Sequence, residues 1–248
     1  MRYLILSDIH SNIEALDACM QRARLAGYDT VLCCGDLVGY GPNPIEVIDV
    51  IQNLDAVTIR GNHDRVASGL DEATYFNAHA KRAIYWTRSV LPASYRAYLS
   101  SLPIGPLTIN PYAQMVHGAI TDEDDYILTE GDAEENLRLA DKNITFFGHS
   151  HFPVVFLSDG TGKTVRATSY NFAEFDAVQC EPNLKLFINA GSVGQPRDGD
   201  ARASFGIWDQ RSARMEFYRV EYDIGLTQKK MTEVHLPQYL IERLAHGR

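Results

Sequence analysis

Through the first sixty residues, short apolar runs alternate with stretches of helical period. Residues 3–6 form a continuous apolar run, the pattern of a parallel strand covered on both faces. Ser11 and Glu14 make a capping-box pair that opens a helix, with Ile13, Leu16, Met20 and Ala23 on one face and Gly27 at its end. Residues 31–34 predict a second strand. Asn43 as cap, Pro44 at the first helical position and Glu46 in the first turn predict a second helix. Residues 56–59 predict a third strand. This βαβαβ order is the opening of an α/β sheet.

Residues 66–103 break the rhythm with an aromatic-rich helical insertion, from Tyr75-Phe76-Asn77 through Trp86 to Tyr98-Leu99. Strand-like runs resume at 114–116 and 144–147, with a helix near 132–142 between them. Beyond residue 151 the runs at 154–157, 205–208 and 215–220 look antiparallel, the first leading through Asp159-Gly160 toward Val165. Residues 224–246 predict one or two short helices. With no repeat, low-complexity tract or long linker, the expectation is one domain over 1–248, with 66–103 as a cap.

Composition narrows the function. A hydrophobic content of 45% with 22% charged residues suits a soluble globular enzyme. A formal charge of −9 argues against a broad nucleic-acid surface, which needs a basic face. It leaves room for a small phosphorylated substrate, because bound dications reverse the local field. No charged-then-apolar leader precedes the first strand, and no apolar stretch approaches a membrane span. The expectation is a cytoplasmic protein with no membrane partner. Cys19, Cys33, Cys34 and Cys180 lack zinc-finger spacing and are read as small buried hydrophobes in a reduced compartment.

Five motifs then follow predicted strands in order: Asp8-Ile9-His10, Gly35-Asp36, Gly61-Asn62-His63-Asp64, His117-Gly118 and Gly148-His149-Ser150-His151. Open α/β sheets place their sites beyond the carboxyl ends of their strands. Singly, most of these motifs have a bland reading: Asp8 and His10 as a polar turn entering a helix, Gly-Asp and Gly-Asn as turns. Paired imidazoles at His149 and His151 have little structural purpose and favour metal ligation. Together the motifs hold five of the chain's eight histidines, leaving His79, His235 and His246 as surface residues. A carboxylate has two oxygens, so Asp36 alone can touch two ions, and Asn62 offers a neutral amide oxygen. Two divalent ions about 3.5–4 Å apart can clamp the attacking and leaving oxygens of a phosphoryl displacement.

On these motifs the chain resembles the calcineurin-like metallophosphoesterases, whose blocks run D-x-H, G-D, G-N-H-[DE], H and G-H-x-H. Residues 189–197, Asn-Ala-Gly-Ser-Val-Gly-Gln-Pro-Arg, resemble a later block of the bacterial branch. The resemblance implies a four-layer α-β-β-α sandwich. It implies that Asp8, His10, Asp36 and His151 hold one ion, and that Asp36, Asn62, His117 and His149 hold the second. His63 would be the acid facing the leaving group, and a metal-bridging hydroxide would attack phosphorus in line. Carboxylate, amide and imidazole donors without thiolate suit manganese first, with iron, zinc, cobalt or nickel as alternatives.

Departures from the family pattern narrow the branch. Serine/threonine phosphatases continue G-D-x-V-D-R-G, whereas this chain has Gly39 for the carboxylate that would orient the histidine and Tyr40 for the phosphate-gripping arginine. The run and the insertion look closer to small bacterial phosphodiesterases and asymmetric diadenosine tetraphosphate hydrolases. Arg197 is a candidate for holding substrate phosphate with its planar fork, or else braces its Gly-rich turn. Tyr75, Phe76, Tyr85 and Trp86 are candidates to stack a nucleobase, or else core residues. The expected function is hydrolysis of a phosphodiester or nucleotide phosphoanhydride. A phosphomonoesterase, protein phosphatases included, is the alternative. A catalytically silent scaffold, like the family's retromer subunit, ranks last because no ligand is lost.

Overall fold

Alternating side chains sort the core into layers. The computed structural model describes residues 1–159, 165–169 and 175–248. Its first strand, β1 (Arg2–Leu6), turns Leu4 and Leu6 to one buried cluster and Tyr3 and Ile5 to another. That is the period-two signature of a strand covered on both faces. The chain continues through α1 (Ile13–Ala26), β2 (Thr30–Cys33), α2 (Pro44–Asn53) and β3 (Val57–Thr58). The three strands pair in parallel, β1 with β2 and β2 with β3. The expected βαβαβ opening is there, with the third strand shortened to two residues.

Three helices follow: α3 (Asn62–Ser68), α4 (Ala78–Val90) and α5 (Ala93–Ser101). Next come β4 (Leu107–Thr108), β5 (Ala113–Met115), α6 (Glu130–Leu139) and β6 (Ile144–Phe147). The later strands are β7 (Pro153–Ser158), β8 (Val165–Ser169), β9 (Phe175–Gln179), β10 (Lys185–Ala190), β11 (Ala203–Asp209) and β12 (Arg214–Val220). The described chain closes with α7 (Ile224–Glu233), α8 (Gln238–Arg243) and a 3₁₀ turn at Leu244–His246.

The strands form two mixed six-stranded sheets, ordered β3-β2-β1-β11-β12-β9 and β4-β5-β6-β10-β7-β8. Ile5, Trp208, Met215 and Phe217 of the first sheet meet Met115, Phe146, Leu186 and Ile188 of the second in the inter-sheet core. On the outer faces, Leu4, Leu6, Phe205 and Ile207 pack under Leu16, Met20, Val47 and Ile51 of the helices, while Phe147, Phe156 and Phe187 pack under Ala133 and Leu137 of α6. The result is the α-β-β-α arrangement. Pairings among the strands after residue 151 are antiparallel, as expected. The turn expected at Asp159-Gly160 runs into residues outside the described set. All four cysteines are buried and free. Among the described residues no helix is long and apolar enough to cross a membrane.

Two caps differ from expectation. Asn12, not Ser11, caps α1, its Oδ1 accepting from the Ala15 N–H at 3.1 Å. Ser11 is withheld because its backbone bonds to Leu37 and Asn43 of a neighbouring loop and takes φ 55°. Glu14 accepts from Thr227 Oγ1 and Lys230 Nζ of α7 instead of closing a box. Asn43 stands at the start of α2, yet its amide donates to the Glu46 carboxylate at 2.9 Å and makes no cap bond. Three strands have no counterpart among the expected runs: β10, central in the second sheet, the two-residue β4 and the edge strand β9.

Candidate metal centre

All five motifs lie just beyond the carboxyl ends of strands: Asp8 after β1, Asp36 after β2, Asn62 after β3, His117 after β5 and His149 after β6. Asp8, His10, Asp36, His149 and His151 adopt left-handed backbone, with φ from 50° to 63°. Such strain costs about 1–3 kcal/mol per residue and persists only where the surroundings over-determine it. Backbone bonds between loops do so here. The N–H groups of Asp8, His10 and Ser11 donate to the carbonyls of Gly35, Asp36 and Leu37, and those of Val193 and Gly194 donate to Ser7 and Asp8. Asp64, fully buried, accepts from the N–H groups of Asp36, Val38 and Gly61 and ties the second loop to α3.

The seven predicted ligands converge, all buried. Asp36 Oδ1 accepts from the His63 N–H at 2.9 Å, which turns Oδ2 toward His10 Nε2 at 3.6 Å and His117 Nε2 at 3.4 Å. A Cβ on Gly61 would stand 2.2 Å from Asp36 Oδ1, so only glycine lets the third loop approach that carboxylate. Asp8 Oδ1 faces His151 Nε2 at 3.3 Å and His10 Nε2 at 3.9 Å, while Ser7 Oγ and the His149 N–H hold the carboxylate from behind. Asn62 Oδ1 lies 3.2 Å from His117 Nε2.

Each imidazole of the seven has one nitrogen on a backbone carbonyl, which fixes where its ring points. Nδ1 of His10, His117 and His151 reaches the carbonyls of Val38 (3.0 Å), Cys34 (2.7 Å) and Gln195 (2.6 Å). His149 is reversed, giving Nε2 to the carbonyl of Asp124 at 3.0 Å and leaving Nδ1 inward. Since carbonyls only accept, the bonded nitrogens carry the protons. Burial holds His10 and His151 well below the ordinary imidazole range, so both are neutral. Their Nε2 atoms nevertheless face each other at 3.1 Å, lone pair to lone pair. That contact is repulsive alone and favourable around a cation, and the donor set fits divalent metal.

His117 behaves differently. Burial opposes its charging, but the neighbouring Asp36 carboxylate outweighs burial and pushes it up to about 10. Without metal, a proton on His117 balances Asp36.

His63 lies beside this centre on α3, with its ring among those of Tyr40 (4.4 Å between centroids), Phe76 (4.6 Å) and His10 (4.8 Å). A Cβ on Gly39 would come within 2.3 Å of His63 Nδ1. Gly39 therefore leaves room for the ring where the phosphatase branch has a carboxylate. Tyr40 packs its ring on His10 and His63, and its hydroxyl accepts from Arg197 at 3.4 Å. Arg197 also donates to Gln195 Oε1 at 3.2 Å.

A cavity of about 200 Å³ opens over Asp36, Asn62, His63, His149 and His151, with Arg197, Tyr126, Tyr75 and Phe76 in its walls. Of the insertion's four candidate aromatics, Tyr75 and Phe76 line the cavity. Tyr85 instead donates to Glu72, and Trp86 packs on the C-terminal helices. His79, His235 and His246 are exposed, as expected.

With ligands, carbonyls and cavity in place, comparison with known proteins decides the family. The pattern of the calcineurin-like phosphoesterase superfamily domain matches residues 1–213. The chain belongs to that superfamily. An uncharacterized protein of Methanocaldococcus jannaschii is 35% identical over 98% of this chain and 97% of its own length. A crystal structure of a metallophosphoesterase from Sphaerobacter thermophilus superposes with TM-score 0.88 at 36% identity, covering 100% of this chain and 99% of the other. A hypothetical protein of Pyrococcus horikoshii shares the fold at TM-score 0.81 and 23% identity, covering 100% and 98%. This calcineurin-like phosphoesterase is a hydrolase, and its buried Asp and His clusters could hold metal.

Several contributors to the site escaped the sequence reading. Asp64 ends the third motif, where its residue type alone points to no role. The carbonyls of Val38, Cys34, Asp124 and Gln195 orient the imidazoles through backbone atoms, for which residue identity gives no signal. Tyr126, 4.0 Å from the His149 ring between centroids, falls in no motif.

Proposed function

We propose that this phosphoesterase works with two divalent ions, manganese first, and cleaves a phosphodiester or nucleotide phosphoanhydride of a small substrate. The observation that carries the dinuclear reading is Asp36 Oδ2, a single oxygen within 3.6 Å of His10 Nε2 and 3.4 Å of His117 Nε2. Asp8, His10, Asp36 and His151 would hold one ion, and Asp36, Asn62, His117 and His149 the other. Ions held there supply a nucleophilic oxygen at neutral pH and offset charge on the phosphoryl oxygens.

The chain's own residues do the rest. With Nδ1 turned to Gly39, His63 offers Nε2 to the leaving oxygen. Burial, with Arg197 and His117, holds the free imidazole down to about 4 against the opposing pull of Asp36. An arriving phosphate adds negative charge beside the ring and raises that value, so the proton is taken up with substrate. Arg197 presents a planar cation from the cavity wall for a phosphoryl oxygen. Tyr75 and Phe76 offer apolar surface to the leaving group, with the 66–103 segment acting as a cap.

Arg197 is also the observation that favours the monoester alternative, since a guanidinium in the cavity suits a dianionic terminal phosphate. The diester reading rests on the ring-filled space at Gly39 and the aromatic wall. Turnover of bis-p-nitrophenyl phosphate, dinucleoside polyphosphates and p-nitrophenyl phosphate with Mn²⁺ at equal metal loading tests it. Higher kcat/KM on the diester or anhydride is expected. A clear monoester preference, or strong activity on phosphoserine peptides, overturns it.

A further inference from the structure

Four imidazoles among the proposed ligands are each oriented by a backbone carbonyl, and one of those carbonyls is placed unlike the rest. Cys34 adjoins the end of β2, Val38 lies in the loop that Asp64 holds, and Gln195 lies in the loop pinned by Val193, Gly194 and Ser192. Asp124, whose carbonyl takes His149 Nε2 at 3.0 Å, sits in a segment between β5 and α6 that belongs to no strand or helix. Turn bonds to the Asp122 carbonyl, the Ile120 N–H on Asn136 Oδ1 and the buried Ala119 and Ile127 anchor the ends of that segment, and ion pairs to α3 hold its middle. Arg65 Nη2 donates to Asp124 Oδ2 at 2.6 Å, and Arg65 Nη1 donates to Glu123 Oε1. Arg60 adds a bond to the same Glu123 oxygen at 3.1 Å.

Arg65 lies three residues after Asn62 on α3, so the two side chains project from the same side of one helical turn. The helix that brings Asn62 and His63 to the site thus also grips the loop that orients His149. The Glu123 side chain is 8% exposed and that of Asp124 is 40% exposed, so half of this grip is shielded from solvent. A guanidinium fork spans both carboxylates at once, which a lysine ammonium does poorly.

We propose that Arg65 is a positioning residue for the metal centre. By tying Glu123 and Asp124 to α3, it keeps the Asp124 carbonyl on His149 Nε2 and so holds His149 in the tautomer that turns Nδ1 inward. The metal part of this inference rests on the dinuclear reading above; the tautomer part does not. Without Arg65, the carbonyl moves off, the proton redistributes between the two ring nitrogens, and the ion that uses His149 loses a pre-oriented ligand. Loss of an outer partner of this kind typically costs about 10–100-fold in metal affinity.

The test uses full-length protein in two states. In the metal-free state, long-range ¹⁵N–¹H correlation spectra report which His149 nitrogen bears the proton. Wild type is expected to show Nε2–H alone, and Arg65→Met a mixture or the Nδ1–H form. In metal titrations, Arg65→Met is expected to weaken one of two Mn²⁺ sites about 10–100-fold and leave the other unchanged. If Arg65→Met does not fold, Arg65→Lys serves, with partial loss of the Nε2–H form and of the same single site. An unaltered His149 tautomer in the folded variant overturns the proposal, as does equal weakening of both sites. A wild type that shows the Nε2–H form yet binds no second ion would refute the dinuclear reading and leave the tautomer result standing.

Discussion

Gly39→Ala isolates the step at which this chain parts from the serine/threonine phosphatases. The added Cβ would fall 2.3 Å from His63 Nδ1, and contacts under 3.0 Å are not tolerated, so the ring must retreat by about 0.7 Å. It has little room, because Tyr40, Phe76 and His10 pack around it at centroid distances of 4.4 to 4.8 Å. A misplacement near 1 Å costs on the order of 10²-fold in rate. Gly39 also has φ 91°, where an L-residue costs about 1–2 kcal/mol. For a chain this long that lowers Tm by about 2–8 °C.

The expected outcome is a folded Gly39→Ala variant with full metal content and kcat down by about 10²-fold. Since the damage acts through His63, adding Gly39→Ala to His63→Ala should cost nothing further, the non-additivity of residues in contact. Steady-state turnover at equal metal loading, with elemental analysis on the same samples, reads both effects. Wild-type turnover in Gly39→Ala, or losses that multiply in the double variant, would refute the packing argument.

Other consequences can be checked on the same samples. Asp36→Asn should lose both metals, and His10→Ala or His117→Ala should weaken one; two equivalents retained in Asp36→Asn would rule out the shared ligand. His63→Ala should keep both metals and lose about 10²–10⁴-fold in turnover. The loss should shrink for p-nitrophenolate, which departs without a proton, and an equal loss across leaving groups would count against the acid role. His117 in the metal-free protein is pushed up to about 10 and holds its proton through pH 8, whereas a ligating imidazole must be neutral. Metal binding at pH 8 should therefore release close to one proton from this group. Calorimetry in two buffers of different ionisation enthalpy would show this as a buffer-dependent heat, which His117→Gln should remove.

The parts of the fold legible in the sequence were those set by short-range pattern. Runs such as residues 3–6 and 144–147 announce themselves because each side of the strand is buried, and polar motifs directly after them mark the carboxyl edge. The first helix cap was not legible because its choice is made far away. Ser11 has the right side chain, but the loop at 37–43 takes its backbone and passes the role to Asn12. The strand β10 gives a weak signal: Leu186, Phe187 and Ile188 are all buried, but the apolar run is only three residues long between Lys185 and Asn189 and leads directly into the polar loop that follows.

The site divides along the same line. The seven proposed ligands have side chains whose chemistry the sequence states, so it could nominate them; the carbonyls that orient the imidazoles have no such label. Gly39 is the instructive intermediate. Compared with a phosphatase motif, it is a carboxylate lost, and that comparison predicts a histidine without an orienting partner. In the structure the ring of His63 fills the space a side chain at 39 would need, with its Nδ1 buried and unpartnered against the glycine. Orientation comes from the rings of Tyr40, Phe76 and His10, and not from a charge. An aspartate at 39 would therefore not restore the phosphatase arrangement: its Cβ collides before its carboxylate can reach Nδ1. The glycine, the tyrosine after it and Phe76 of the insertion form one packing solution, and a change toward the phosphatase motif would have to alter all three together.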